Sequence, residues 1–441
     1  MASTRDTICA LATGAPPSAI SVLRLSGPTV IDIAGSLLLK GIPPPRVATL
    51  DTLQDQAGAV IDTGLMVFMP GPASYTGEDA LELSLHGGRM VTELALKALI
   101  DAGARLAEPG EFTRRAFEAG KLDLTRAEAI ADLIDAESEA QHSQALKQLD
   151  GALANLYEGW RTSLTECLAL LEASIDFPDE EDAPQRVDEP VRQRLSDLIG
   201  ELEQALKDGN ITERIRDGFK IAILGKPNAG KSTLLNQLSG RDAAIVTEIP
   251  GTTRDAIEVR MVIGGYLVWL VDTAGLRDTD DIVEKEGVRR AIRAGDEADI
   301  RIFLYDGEAA FEPGEHYRDG DIIAANKADL LEDMNVSRET IQISAKTGQG
   351  LETLMDRIKT RLADLGGSSG SPVITRARHR QGIISGLDAL NVAKSALEQG
   401  AGTELVAEDV RLASRHLGML TGHVDAESVL GAVFSSFCIG K

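Results

Sequence analysis

Between the apolar run Lys220–Leu224 and the helical stretch Thr233-Leu-Leu-Asn-Gln-Leu lies Gly225-Lys-Pro-Asn-Ala-Gly-Lys231-Ser232, a match to GxxxxGK[ST] in the strand-to-helix context the motif requires. The residue types explain the spacing. Glycines let backbone N–H groups close around phosphate oxygens, Lys231 adds positive charge at the β- and γ-phosphates, and the Ser232 hydroxyl is suited to ligate Mg2+. The surrounding sequence agrees. From Phe219 to about Leu365, strands (Lys220–Leu224, Leu267–Val271, Ile300–Tyr305, Asp321–Ala325) alternate with helix-length segments, as in a doubly wound α/β sheet.

Further elements follow in the order a guanine-nucleotide switch needs. Asp272-Thr-Ala-Gly275 ends a strand, where Asp272 is placed to hold Mg2+ through water and the Gly275 amide to sense a γ-phosphate. Asn326-Lys-Ala-Asp329 ends another, and the Asp329 carboxylate suits both the N1–H and the N2–H2 of guanine. Adenine lacks that donor pair, so GTP is favoured over ATP. Ser344-Ala-Lys346 is placed to add a backbone contact to guanine O6, and Thr247-Glu-Ile-Pro-Gly-Thr-Thr253 supplies a switch threonine, Thr253, for Mg2+. The expected GTP contacts are therefore Asn228, Ala229, Gly230, Lys231, Ser232 and Thr233; Thr247, Glu248, Ile249, Pro250, Gly251, Thr252 and Thr253; Asp272, Thr273, Ala274 and Gly275; Asn326, Lys327 and Asp329; and Ser344, Ala345 and Lys346. Ras-type enzymes orient the attacking water with a Gln directly after DxxG. Leu276 stands there in this chain and cannot polarise water, so the acidic segment Asp278–Glu286 is the nearest supply of another group.

At 441 residues the chain is too long for one core, and two to four domains are expected. Up to residue 118, short β-rich runs (Ala19–Leu25, Gly64–Met69, Ala80–Leu85) mix with Gly/Pro turns, which reads as an α+β unit. Leu146, Leu149, Leu153, Leu156, Trp160, Leu164, Cys167 and Leu171 then recur at helical spacing and predict one long helix. A second helix carries Val191, Leu195, Leu198, Leu202 and Leu206, with Gly209-Asn210 as its stop. After the linker-like Gly366–Ser371, helical periodicity returns in Ile383, Ile384, Leu387 and Leu390, and again in Val429, Leu430, Val433 and Phe434. The simplest arrangement packs the two helical stretches (119–216 and 366–441) together around the inserted domain 217–365.

With 45 Lys+Arg against 69 Asp+Glu, the net charge of -24 argues against broad, non-specific nucleic-acid binding, so any RNA contact needs a local basic patch. Arg114-Arg115 with Lys121 and Arg126, and the run Arg376, Arg378, His379 and Arg380, are candidates, though each alone reads as solvated surface. No apolar stretch is long enough for a membrane span, and the three cysteines, Cys9, Cys167 and Cys438, are too scattered for a disulfide framework, so a cytoplasmic protein is expected.

Three signatures outside the nucleotide motifs carry a family resemblance: Ser74-Tyr-Thr-Gly-Glu-Asp-Ala-Leu-Glu82-Leu-Ser-Leu-His86-Gly-Gly; Pro109-Gly-Glu-Phe-Thr-Arg-Arg-Ala-Phe117 leading through Gly120-Lys121-Leu-Asp-Leu to Ala127-Glu-Ala; and the terminal Phe437-Cys438-Ile-Gly-Lys441. With these, the chain resembles the MnmE (TrmE) family of tRNA uridine 5-carboxymethylaminomethyl modification GTPases. The resemblance implies an N-terminal folate-binding and dimerising α+β domain (1–118), a helical domain in two parts, and an inserted Ras-like P-loop GTPase domain (217–365). It also implies a homodimer that acts on the wobble uridine of tRNA in a heterotetramer with the FAD-dependent MnmG (GidA). The resemblance places FAD in that partner only and implies a tetrahydrofolate, 5-formyl or 5,10-methylene, as the one-carbon donor. By position, Arg24, Glu82, Lys121 and Lys441 would contact folate, while Asn228, Thr247, Ile249 and Thr252 would ligate K+ beside the Mg2+ ligands Ser232 and Thr253. Glu284 would orient water, Lys231 would act at the phosphates, and Cys438 would take part in the modification chemistry. Gly14-Ala-Pro-Pro-Ser18 departs from the family's Gly/Arg-rich turn, whereas Arg24 is kept. A ribosome-assembly GTPase would share the nucleotide motifs but needs a KH-like or other RNA module, of which the sequence shows no sign. A folate-binding protein with a non-catalytic switch domain would differ by the absence of GTP turnover.

Overall fold

The computed structural model describes residues 6–176, 188–226, 228–240, 257–272, 293–306, 317–318, 320–330, 337, 339–367, 374–424, 427–435, 437 and 439–440. Contacts divide the chain into two compact units, Met1–Ala131 with Ser414–Lys441, and Asp132–Ala413.

In the first unit, strands β1 (Ile8–Leu11), β2 (Ile20–Ser26), β3 (Thr49–Gln54), β4 (Val60–Met69), β5 (Ala80–His86) and β6 (Arg105–Leu106) form a six-stranded sheet in the order β3-β4-β5-β2-β1-β6. Every pairing is antiparallel except β1 with β6. Side chains alternate across a pleated strand. Leu81, Leu83 and Leu85 of β5 and Leu23 and Leu25 of β2 therefore enter the core against the helices Val30–Leu37 and Arg89–Asp101, while Glu82 and Arg24, cross-strand partners, share the opposite face. The C-terminal helix Glu427–Ser435 belongs to this unit: Leu430, Val433, Phe434 and Phe437 pack on Phe117, Leu124 and Ala127, and Ile439 bridges to Pro109.

In the second unit, β7 (Phe219–Leu224), β8 (Ile257–Ile263), β9 (Tyr266–Asp272), β10 (Ile300–Asp306), β11 (Ile322–Asn326) and β12 (Ile341–Gln342) form a sheet in the order β12-β11-β10-β7-β9-β8. It is parallel apart from the β8–β9 hairpin. The expected doubly wound sheet is thus present, and the phosphate motif, Asp272 and Asn326 all lie at the carboxyl ends of their strands, where open α/β sheets bind ligands. The helices Asp188–Asp217 and Ala377–Glu398, far apart in sequence, pack together, with Arg380 paired to Glu213 at 2.6 Å and the Thr212 hydroxyl donating to the Ile374 carbonyl.

Two helical expectations are corrected. The stripe from Leu146 to Leu171 is broken between the helices Glu139–Leu149 and Ala152–Asp176 by Gly151, at φ +98°. Ahead of the break the buried face is Gln141, Ala145 and Gln148, and Leu146 is exposed. Nor does Gly209 stop its helix, which continues to Asp217. A Cβ at Gly209 would lie 2.6 Å from Ile374 Cδ1, so the glycine permits a close approach rather than a turn.

Candidate functional site

The phosphate loop leaves β7 at Gly225 and turns through Asn228, an exposed residue at φ +61°, into Gly230 at φ +95°. A side chain at Gly230 would be strained by that φ, and its Cβ would lie 2.2 Å from Asn326 Nδ2. Gly230 precedes the helix Lys231–Ser239, whose first-turn N–H groups have no intrahelical acceptor and whose dipole is positive at this end. Lys231 is buried; its ammonium spans the loop, donating to Gly225 O at 2.8 Å and Lys226 O at 3.0 Å. Ser232 and Thr233 are exposed in the first turn.

The base side is built on β11. Asn326, 4% exposed, donates from Nδ2 to Ala229 O at 2.7 Å and accepts at Oδ1 from the Ala345 amide at 2.9 Å. One side chain thereby fixes the phosphate loop against the Ser344-Ala-Lys346 loop. That second loop is further held by buried Ser344, whose Oγ accepts from the Thr347 amide at 3.1 Å. Lys327, at φ +67°, is ion-paired with Asp306, the neighbouring strand end, and Asp329 and Lys346 are exposed. Asp272 ends β9 opposite Ile223 and Ile257. The expected contacts Thr247, Glu248, Ile249, Pro250, Gly251, Thr252, Thr253, Thr273, Ala274 and Gly275, together with Leu276 and Glu284, lie outside the described residues.

On the outer face of the N-terminal sheet, Arg24 donates to Glu82 Oε1 from Nε at 3.0 Å and Nη2 at 2.8 Å. Its guanidinium lies 5.7 Å from the Tyr75 ring centroid and 5.8 Å from that of Phe112, and Tyr75 shares a hydrogen bond with Thr113 at 2.9 Å. Lys121 donates to the Pro72 carbonyl. Cys438 and Lys441 lie outside the described residues, although Ile439 between them is anchored at Pro109. Arg115, 4% exposed, is held by Glu78 at 3.0 Å and Glu111 at 2.8 Å. Burial would raise the Glu111 carboxyl, but hydrogen bonds from Arg105, the Glu108 amide and Arg115 outweigh it and hold the group at about 2. Several arginines of the two basic clusters are ion-paired, Arg114 with Glu118, Arg126 with Asp123, Arg376 with Asp132 and Arg380 with Glu213, and His379 is buried.

Two family models match, "MnmE helical domain" over residues 124–438 and "GTP-binding protein TrmE N-terminus" over residues 7–121. A protein of Hyphomonas neptunium called tRNA modification GTPase MnmE is 54% identical over 438 residues, covering 99% of both chains. Proteins of the same name from Caulobacter vibrioides (49% identical; 99% of this chain, 100% of the relative) and Maricaulis maris (48%; 99% of each) are similarly close. The chain belongs to the MnmE family.

The phosphate loop, Asp272 and Asn326 are legible in the sequence as motifs at strand ends, and what joins them is not. Asn326 was legible as part of a base motif and not as a brace on Ala229. Asp306 as the partner of Lys327, and Tyr75 and Phe112 as the rings beside Arg24, are also absent from the sequence reading. Asp306 carried a signal, a carboxylate closing an apolar strand, and Tyr75 and Phe112 lie inside the quoted MnmE signatures.

Proposed function

We propose that this chain binds and hydrolyses GTP at the carboxyl edge of the second sheet, and that with an FAD-dependent partner of the MnmG type it modifies the wobble uridine of tRNA. The observation that supports the reading is the Asn326 brace, which ties the phosphate-motif loop and the Ser344–Lys346 loop into one preformed unit. The Gly225–Ser232 loop supplies N–H donors at a positive helix end, and glycine at position 230, where a Cβ would lie 2.2 Å from Asn326 Nδ2, lets the brace close on that loop. The Lys231 ammonium, now on loop carbonyls, is within the loop that phosphate would enter, and Asp329 accepts two hydrogen bonds from guanine. Ser232 and Thr253 would hold Mg2+, and Asn228, Thr247, Ile249 and Thr252 would hold K+, supplying positive charge as phosphate charge develops. Glu284 orients the attacking water in place of Leu276.

The same reading makes Arg24, Glu82, Lys121 and Lys441 the contacts of a tetrahydrofolate one-carbon donor, in a homodimer whose G domains pair in the GTP state, divided as 1–118, 119–216, 217–365 and 366–441. The Arg24–Glu82 pair on the solvent face, backed by Tyr75, supports this with both hydrogen-bonding signs beside an aromatic surface. Cys9 and Cys167 are buried, and burial pushes both thiols up to about 11, which suits neither to nucleophilic chemistry; the family resemblance assigns the modification chemistry to Cys438.

Turnover of GTP in KCl is compared with turnover in NaCl; K+ accelerates it, and equal rates refute the K+ role. Glu284→Ala lowers turnover far more than GTP affinity. Cys438→Ser keeps GTP hydrolysis and abolishes the modified uridine in nucleoside mass spectrometry, and wild-type levels in that variant make Cys438 structural. Capture of an FAD protein by the full chain tests the partner.

A further inference from the structure

The β8–β9 hairpin connects the two switch motifs at one end. β8 opens at Ile257, shortly after Thr253, and β9 closes on its cross-strand partner Asp272. At the other end is the two-residue turn Gly264–Gly265, with φ +59° and +84°, the left-handed pair that hairpin twist favours.

That turn is held by the helical segments. The Ala140 amide, in the first turn of helix Glu139–Leu149 where no intrahelical acceptor exists, donates to Gly265 O at 3.0 Å. Beside it, Arg260 of β8 pairs with Glu137 at 3.1 Å, and its guanidinium lies 5.2 Å from the ring centroid of Trp269 on β9. Trp269 Nε1 donates to the carbonyl of Asp217, the last residue of helix Asp188–Asp217, at 2.8 Å. Helix Glu139–Leu149 grips that same helix end, with Gln141 Nε2 donating to Arg216 O at 2.7 Å and Gln144 Nε2 to Thr212 O at 3.0 Å.

The dock has room to rearrange. Arg260 Nε and Glu137 Oε2 are buried without a hydrogen-bond partner among the described residues, which is a cost to this arrangement. A polar cavity of about 110 Å3 bounded by Asp132, Gln148, Arg216 and Arg260 lies beside them. Coupling requires an element with two arrangements that both sites bias, and a hairpin bearing the switch motifs at one end and a helix N-terminus at the other has that form.

We propose that Glu137, Ala140 and Asp217 form a dock through which the position of the β8–β9 hairpin reports nucleotide state to helix Glu139–Leu149, with Arg260 and Trp269 as its positioning residues. The proposal rests on the GTPase reading. Hydrogen exchange of the Ala140 amide is measured in the full-length protein loaded with GDP and with GDP plus aluminium fluoride in KCl. The wild-type rates differ by about fivefold or more between the two states. Arg260→Gln and, separately, Glu137→Gln abolish the difference while GTP turnover persists, and the charge-swapped pair Glu137→Arg with Arg260→Glu restores it. Equal wild-type rates, or a difference that survives in either single variant, overturn the dock. Absence of GTP hydrolysis by the wild-type chain overturns the GTPase reading instead.

Discussion

Asn326 ties the two loops of the proposed nucleotide site together through one side chain, so its removal is felt on both flanks. Asn326→Ala leaves Ala229 O and the Ala345 amide without their partner in buried surroundings, a cost of about 1–3 kcal/mol, and GTP affinity measured by calorimetry falls about tenfold or more. Gly230→Ala, which places a Cβ against Asn326 in a left-handed backbone, weakens binding by the same route. The motif was legible in sequence because its residues are contiguous, whereas the brace spans a separation of 97 residues that no local pattern encodes. Glu111 is similar: sequence shows an acid before two arginines, and only folding adds Arg105 and burial. Its carboxyl is depressed, so its stabilisation is complete above the ordinary value of about 4.3 and is lost as pH falls towards 2. Glu111→Gln therefore loses stability at pH 7, by about 1–3 kcal/mol because buried Arg115 loses one carboxylate and keeps Glu78, and shows a flatter pH dependence between those values in denaturant titrations.

Among the elements, periodicity located those with one long apolar face and failed where buried groups are polar or strands are short. Leu146 was read as core because it has the right spacing, but the face that turns inward carries Gln141 and Gln148. The Gln141 amide is buried where it meets a helix-end carbonyl, a reason invisible without the partner helix. β6 and β12, two residues each, are too short for a period of two to register. β8 was legible in principle, since Val259, Met261 and Ile263 alternate with Glu258, Arg260 and Val262. Gly209 was read as a stop from residue type alone. Gly209→Ala gains helix propensity but forces a methyl group onto Ile374, and a net loss of about 1 kcal/mol is expected in thermal unfolding.

At the scale of the whole molecule, the insertion was visible as helical texture on both sides of an α/β stretch, while the seating of Leu430, Phe434 and Phe437 on the N-terminal unit was not, because an apolar helix face does not name its partner. The meeting of Asp188–Asp217 with Ala377–Glu398 across the inserted sheet has a consequence for the speed of folding. Contacts made across a long stretch of chain form slowly, since loop closure precedes any gain from them, but a loop already collapsed into a folded sheet brings its ends together. The sheet should therefore form first and the helix pair close after it. The chain's two tryptophans separate these events: Trp269 lies in β9, and Trp160 packs on Tyr157, which meets His379 of the returning helix edge-on at 5.7 Å. In stopped-flow refolding, the fluorescence of Trp160→Phe recovers ahead of that of Trp269→Phe, and coincident recoveries would mean that sheet and helix pair condense in one step.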